Sequence, residues 1–135
     1  MKSLLAKLGV LIIGLLIFSY AKVWGAEWVF VEDSIIDYSR LYYDAQSIGH
    51  PSKNIFQITA KSEISEKAKK EIELRGWSYS IILFEFNCKE KIFRCLSFKR
   101  YHEDGEFISH LLCPESWLII PPKSAEESLY KIVCK

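Results

Sequence analysis

Four cysteines and three histidines are the side chains best suited to chemistry in this 135-residue chain. Cys88, Cys95, Cys113 and Cys134 all fall in its second half. In an oxidising compartment an even number of cysteines in a small domain forms disulfides, and four of them admit three connectivities. The competing chemistry is metal binding. His110-Leu111-Leu112-Cys113 has a ligand-like gap that Cys95 could join. No CxxC pair is present, however, and strand alternation would aim His110 and Cys113 at opposite faces. Two structural disulfides are the expectation, with no metal and no cofactor. His50, His102 and His110 lie in no GxSxG or HExxH arrangement, and the six glycines form no phosphate-binding loop. His102-Glu103-Asp104 marks a hairpin tip, and His50-Pro51 marks a break. No residue is assigned as catalytic, and the chain is not expected to be an enzyme.

Compartment decides how the cysteines are used, and the first residues speak to it. Lys2 and Lys7 precede the unbroken apolar run from Leu8 to Phe18, and Ser19-Tyr20-Ala21 supplies small residues before a cut. This is the order of a secretory signal peptide, so residues 1–21 are expected to be removed, with the cut falling as late as residue 26. The run is short for a bilayer core, which needs roughly 20 residues, so no membrane span is expected after cleavage. No cysteine precedes Cys88 that a lipid could modify. Of the 18 basic and 17 acidic residues, the leader takes Lys2 and Lys7 and no acid, so residues 22–135 carry a formal charge of −1. Such a balance excludes a strongly basic nucleic-acid binder. Half of the residues are hydrophobic, which excludes a disordered chain.

The elements that must position the cysteines are legible as alternation. Trp28-Val29-Phe30-Val31 reads as a first strand, Asp37 to Asp44 as a second segment ending in an Asp44-Ala45-Gln46-Ser47 turn, and Ile55 to Thr59 as a further strand. Between Ser62 and Gly76 charge dominates, and Ile64, Ala68, Ile72 and Leu74 recur at helical spacing, so a solvated helix or insert is predicted there. Trp77 to Cys88, Ile92 to Tyr101 and Glu106 to Leu112 form an antiparallel meander. Ser124-Ala125-Glu126-Glu127 fits a capping box, and Ala125, Leu129, Ile132 and Val133 form the apolar stripe of a final helix. The fold class is α+β: an antiparallel meander, a charged helix or insert before the central strands, and a disulfide-tethered C-terminal helix. Residues 22–135 form one domain.

Loop lengths turn this meander into a register. A three-residue loop at Lys89 to Lys91 pairs Cys88 with Ile92 and places Leu96 and Phe98 on the Cys88 face. A three-residue loop at Glu103 to Gly105, with Gly105 left-handed, pairs His102 with Glu106 and sets Cys95 across from Cys113. Cys95 then points away from the Cys88 face, and Cys88–Cys134 and Cys95–Cys113 become pairs on opposite sides of the sheet. A two-residue loop at Asp104-Gly105 would put Cys113 opposite Leu96 instead. Closing a loop of roughly 45 residues, a Cys88–Cys134 bond adds up to about 4 kcal/mol in the chain-entropy model.

Several short motifs resemble one family. They are Tyr42-Tyr43-Asp44 with Ser47-Ile48, Glu85-Phe86-Asn87-Cys88, Arg94 with Leu96-Ser97, and Tyr101 with Gly105. Trp117-Leu118-Ile119-Ile120-Pro121-Pro122-Lys123-Ser124 and Leu129-Tyr130-Lys131-Ile132-Val133-Cys134 complete the set. Together, from Trp28 to Cys134, the chain resembles the bacterial surface-adhesin protein E family. The resemblance implies an antiparallel sheet whose C-terminal helix is held by Cys88–Cys134. It also implies a cell-envelope protein, in a family whose founding member is a dimeric adhesin for host matrix and serum proteins.

Function then divides between two classes. An adhesin-like binding module would meet a protein ligand such as an extracellular-matrix or other surface protein, while a periplasmic structural or accessory protein would have no host ligand. Localisation is export to the periplasm or the cell surface in either case. Both faces of the meander carry apolar residues: Ile82, Phe84, Phe86, Leu96, Phe98 and Leu112 on one, and Tyr79, Ile81, Leu83, Phe93, Tyr101, Phe107 and Leu111 on the other. One short helix cannot cover both. Either Trp28 to Thr59 wraps the second face or a partner does, a homodimer included. The sequence names no ligand-binding residues.

Overall fold

The computed structural model describes residues 25–34, 39–65, 68–69 and 78–135. The leader and most of the charged segment lie outside these residues. Eight strands are present among them: β1 (Trp28–Asp33), β2 (Ser39–Asp44), β3 (Gly49–Ser52), β4 (Ile55–Ile64), β5 (Tyr79–Asn87), β6 (Ile92–Tyr101), β7 (Phe107–Leu111) and β8 (Leu118–Ile119). They form one sheet in the order β1-β2-β4-β5-β6-β7, with β3 paired to β4 and β8 to β6. All pairings are antiparallel. One α-helix with both ends among the described residues, α1 (Ala125–Val133), follows the strands. The class is α+β, as the residue patterns imply.

The N-terminal strands do not wrap the second face. They extend the sheet sideways, β1 on β2 and β2 on β4, through antiparallel ladders that pair their backbone groups. The connection after β2 is a short 3₁₀ turn, Ala45–Ser47. Asp44 fixes it by accepting from the backbone N–H of Gln46 at 3.0 Å and of Glu27 at 2.9 Å. The expected break at His50-Pro51 is instead the middle of β3, whose pairing with β4 is made at Gly49 and Ser52 and shifts between them. A proline costs little at such a place, since its missing N–H has no ladder partner to lose.

The charged segment starts later than helical spacing suggests. Glu63 and Ile64 belong to β4, where they pair with Tyr79 and Ser39. Ala68 and Lys69 are helical, and the remainder of the predicted helix falls outside the described residues. Ile64 at i and Ala68 at i+4 mimic one helix face, but long-range pairing with β2 claims the first of them.

The core lies between one sheet face and α1. Leu41, Ile58, Ala60, Ile82, Phe84, Phe86 and Phe93 from the sheet meet Leu129 and Val133 from the helix. Phe86, Ile58 and Leu129 are fully buried, each adding about 1.5–3 kcal/mol over exposure to water. Ser124 caps the helix by accepting from the N–H of Glu127 at 3.1 Å. Glu127 reaches back to the N–H of Lys123, one residue before the cap, at 3.4 Å. Ser128 Oγ donates to Glu32 Oε1 at 2.7 Å and joins the helix to β1.

Both disulfides are present, with Cα separations of 5.4 Å for Cys88–Cys134 and 5.3 Å for Cys95–Cys113. The register that leads to them differs from simple counting. Asn87, not Cys88, pairs with Ile92, because the β5–β6 turn holds four residues. A bulge then leaves Leu96 unpaired, so Cys95 sits opposite Phe84 and packs on the core, as Cys134 does. The two bonds are therefore not on opposite sides of the sheet. Phe93 and Leu111 likewise turn to the helix side, opposite Phe86 and Phe98. In the next hairpin the N–H of His102 donates to the carbonyl of Glu106 at 2.8 Å, and Gly105 is left-handed, as expected. A second bulge at Ile108 shifts β7 by one residue, and the strand ends at Leu111. Cys113 thus meets Cys95 from the loop beyond β7, not from across a ladder.

Candidate functional site

Alternation along the strands sends every second residue to the face that α1 does not touch. Trp28 and Phe30 come from β1, Tyr42 from β2, Lys61 from β4, Tyr79 from β5, Tyr101 from β6, and Phe107 and His110 from β7. Cross-strand pairing brings them together. Phe30 meets Tyr42 edge-on at 5.8 Å, Tyr79 stacks on Tyr101 at 5.2 Å, and Tyr101 meets Phe107 at 5.8 Å. His110 closes the series against Phe107 at 5.0 Å.

Between the two aromatic groups stands Lys61. Its ammonium lies 5.2 Å from the Trp28 ring centroid, 5.5 Å from Tyr42 and 5.4 Å from Tyr79. Three ring faces attract the cation through their quadrupoles, which holds the side chain in place without an acceptor. Its nearest carboxylate oxygen among the described residues, Glu63 Oε2, is 3.9 Å away. That is too long for a hydrogen bond, so the ammonium keeps donors to offer. The side chain is 23% exposed.

A second cluster lies on the same face nearer the β5–β6 turn. Glu85 is only 6% exposed, which is unusual for a carboxylate on an open sheet surface. Arg94, opposite it on β6, contacts Oε1 with Nη2 at 2.7 Å and donates from Nε at 2.9 Å. Gln57 Nε2 donates to Oε2 at 2.7 Å. Trp117 stacks on the Arg94 guanidinium at 4.6 Å and shields the pair from water. This cluster is saturated. It pins the face and has little left for a ligand.

Burial of Tyr79 raises its phenol above the ordinary value, with Tyr101 and then Asp104 adding to the effect. The Tyr79 hydroxyl is therefore neutral at physiological pH and can donate or accept.

The residues singled out from sequence fall elsewhere. The four cysteines are all bonded. His50 stacks flat on Phe56 at 4.2 Å, in the wall of a cavity of about 370 Å³ that Lys53, Tyr130 and the Cys88–Cys134 bond also line. His102 is on the hairpin and His110 on the open face. The structure does not bring the three together, and no group of three His, Cys, Asp or Glu side chains among the described residues could hold a metal ion. No helix among them is long and apolar enough to cross a membrane.

Lys61, Trp28, Tyr42, Glu85 and Arg94 were not assignable from sequence as a site. The signal for them was the polar phase of β4, with Gln57, Thr59 and Lys61 alternating with Phe56, Ile58 and Ala60. Reading it required the register of strands far apart in the chain.

One comparison with known proteins, that against family models, gives an assignment. The family model described as surface-adhesin protein E matches residues 28–135. Among solved structures, the chain is similar to the crystal structure of protein E from non-typeable Haemophilus influenzae. That similarity has 16% sequence identity and a TM-score of 0.46, and covers 78% of this chain and 74% of the other. No curated protein matches.

Proposed function

The chain belongs to the surface-adhesin protein E family, and on that premise we propose that it is an exported, non-catalytic, adhesin-like protein-binding module of the cell envelope. The family match over residues 28–135 carries the reading. Residues 1–21 act as its cleaved leader, and 22–135 form the exported domain. Two disulfides within so small a chain support an oxidising destination. The aromatic face opposite α1 supports a binding role, since Tyr, Trp and Arg in rigid clusters are typical of protein interfaces.

Fractionation of the producing cell, with N-terminal sequencing of the mature chain, tests export and the cut. Saturable binding of the oxidised mature protein to immobilised extracellular-matrix protein tests adhesion. Retention in the periplasm without such binding would replace the adhesin reading with that of an accessory envelope protein.

A further inference from the structure

The pairing registers align six side chains straight across the open face. Phe30 is opposite Tyr42, Tyr42 opposite Lys61, Lys61 opposite Ile81, Ile81 opposite Lys99, and Lys99 opposite His110. The middle of this row is cationic and contains no acid. In the flanking positions of the face, Asp33, Glu63 and Glu85 each have a base nearby. Arg40 is 3.1 Å from Asp33, Lys61 3.9 Å from Glu63, and Arg94 2.7 Å from Glu85. That leaves Lys99 without a carboxylate among the described residues and Lys61 with only the longest pairing. His110, at the end of the row, is exposed.

We propose that the row Lys61–Ile81–Lys99–His110, walled by Tyr42, Tyr79 and Tyr101, is a docking surface for an acidic segment of a partner polypeptide. This rests on the protein-binding reading above and deepens it by naming the chemistry of the partner. Three strand spacings of about 4.8 Å place the ends of the row about 14 Å apart, the reach of four to five residues of extended chain. Carboxylates at alternate positions would meet Lys61 and Lys99, and Ile81 between them offers apolar contact. The aromatic walls are already locked by ring–ring contacts, so little side-chain freedom is lost when a ligand settles. Trp28, Tyr42 and Tyr79 also exclude water from around the Lys61 ammonium, where an ion pair gains strength.

The experiment uses the oxidised mature protein and a fluorescein-labelled hexaglutamate peptide, read by anisotropy, with hexalysine and hexaserine peptides as controls. Hexaglutamate should bind and hexalysine should not, and raising salt from about 0.05 M to about 0.5 M should weaken the complex. Lys61→Gln with Lys99→Gln should lower affinity about tenfold or more, while the paired Lys61→Glu, Lys99→Glu change should abolish hexaglutamate binding and permit hexalysine. Unaltered near-ultraviolet circular dichroism of the glutamine variant keeps a folding defect from counting as support. Equal binding of all three peptides, or hexaglutamate binding that survives both substitutions, would overturn the proposal. So would a stronger and equally Lys61-dependent complex with a heparin oligosaccharide, or a dimer that hides the row at assay concentration. Loss of matrix-protein binding alongside intact hexaglutamate binding would instead count against the adhesin reading and leave the surface standing.

Discussion

Tyr130 Oη donates to the carbonyl oxygen of Cys88 at 3.1 Å, and Cys134, one turn further along the chain, bonds Cys88 through sulfur. The helix is thus joined twice to one residue at the end of β5. Removing the bond as Cys88→Ser with Cys134→Ser should cost about 2–4 kcal/mol, because it frees a loop with a sequence separation of 46. Tyr130→Phe should cost about 1 kcal/mol. Both act through Cys88, so the tyrosine change should cost less in the disulfide-free chain than in the intact one. Urea denaturation of the four variants checks this. Strict additivity would mean that the hydrogen bond holds the helix independently of the disulfide.

Glu85 and Arg94 give a second effect, from one substitution. Arg94→Ala removes two contacts to a carboxylate that is 6% exposed and leaves Gln57 as its remaining donor. Breaking a fully buried pair costs about 3–5 kcal/mol, and the partial exposure of Arg94 lowers the expected loss to about 2 kcal/mol. Replacing both, as Glu85→Leu with Arg94→Met, should recover much of that loss. Thermal denaturation of the single and double variants is the measurement. A double variant less stable than Arg94→Ala would show that Gln57, left without its acceptor, depends on the Glu85 carboxylate.

The sequence carried local features faithfully and long-range register poorly. Ser124 as the helix cap, Gly105 in its left-handed turn and the alternation of β5 all follow from groups within a few residues of one another. The bulges at Leu96 and Ile108 do not, since an unpaired residue exists only relative to a partner strand. The four-residue β5–β6 turn turns Phe93 and Cys95 toward α1, the Leu96 bulge lets Phe98 share that side, and the Ile108 bulge turns Leu111 to it. The Lys61 cage was hidden for the same reason. Trp28, Tyr42, Lys61 and Tyr79 come from four strands, and only their pairing shows that four unremarkable side chains share one point.

Gly105 isolates the cost of backbone conformation. Its φ is +91°, and an added Cβ would lie 3.8 Å from Tyr79 Oη, an ordinary contact. Gly105→Ala should therefore lose about 1–2 kcal/mol through strain alone. Gly105→Asn should lose less, because asparagine tolerates left-handed geometry better. Comparison of the two by urea midpoint is sufficient. Equal losses would implicate contact with Tyr79 after all.

Tyr79 links the open face to pH. Burial first, then Tyr101 and Asp104, raises its ionisation above the usual value of about 10. The unfolded chain releases this proton at lower pH than the folded one, so above pH of about 10 the unfolded state binds fewer protons and stability falls. The contribution is intact below that point and is lost as pH rises through the folded value. Tyr79→Phe should flatten this alkaline decline, and Asp104→Asn should lower the ionisation of Tyr79 toward normal by removing a nearby negative charge. Absorbance titration of phenolate, paired with urea midpoints across the same range, measures both. If Tyr79→Phe leaves the decline unchanged, another group governs it, and the stacked pair with Tyr101 does not report on the charge of the face.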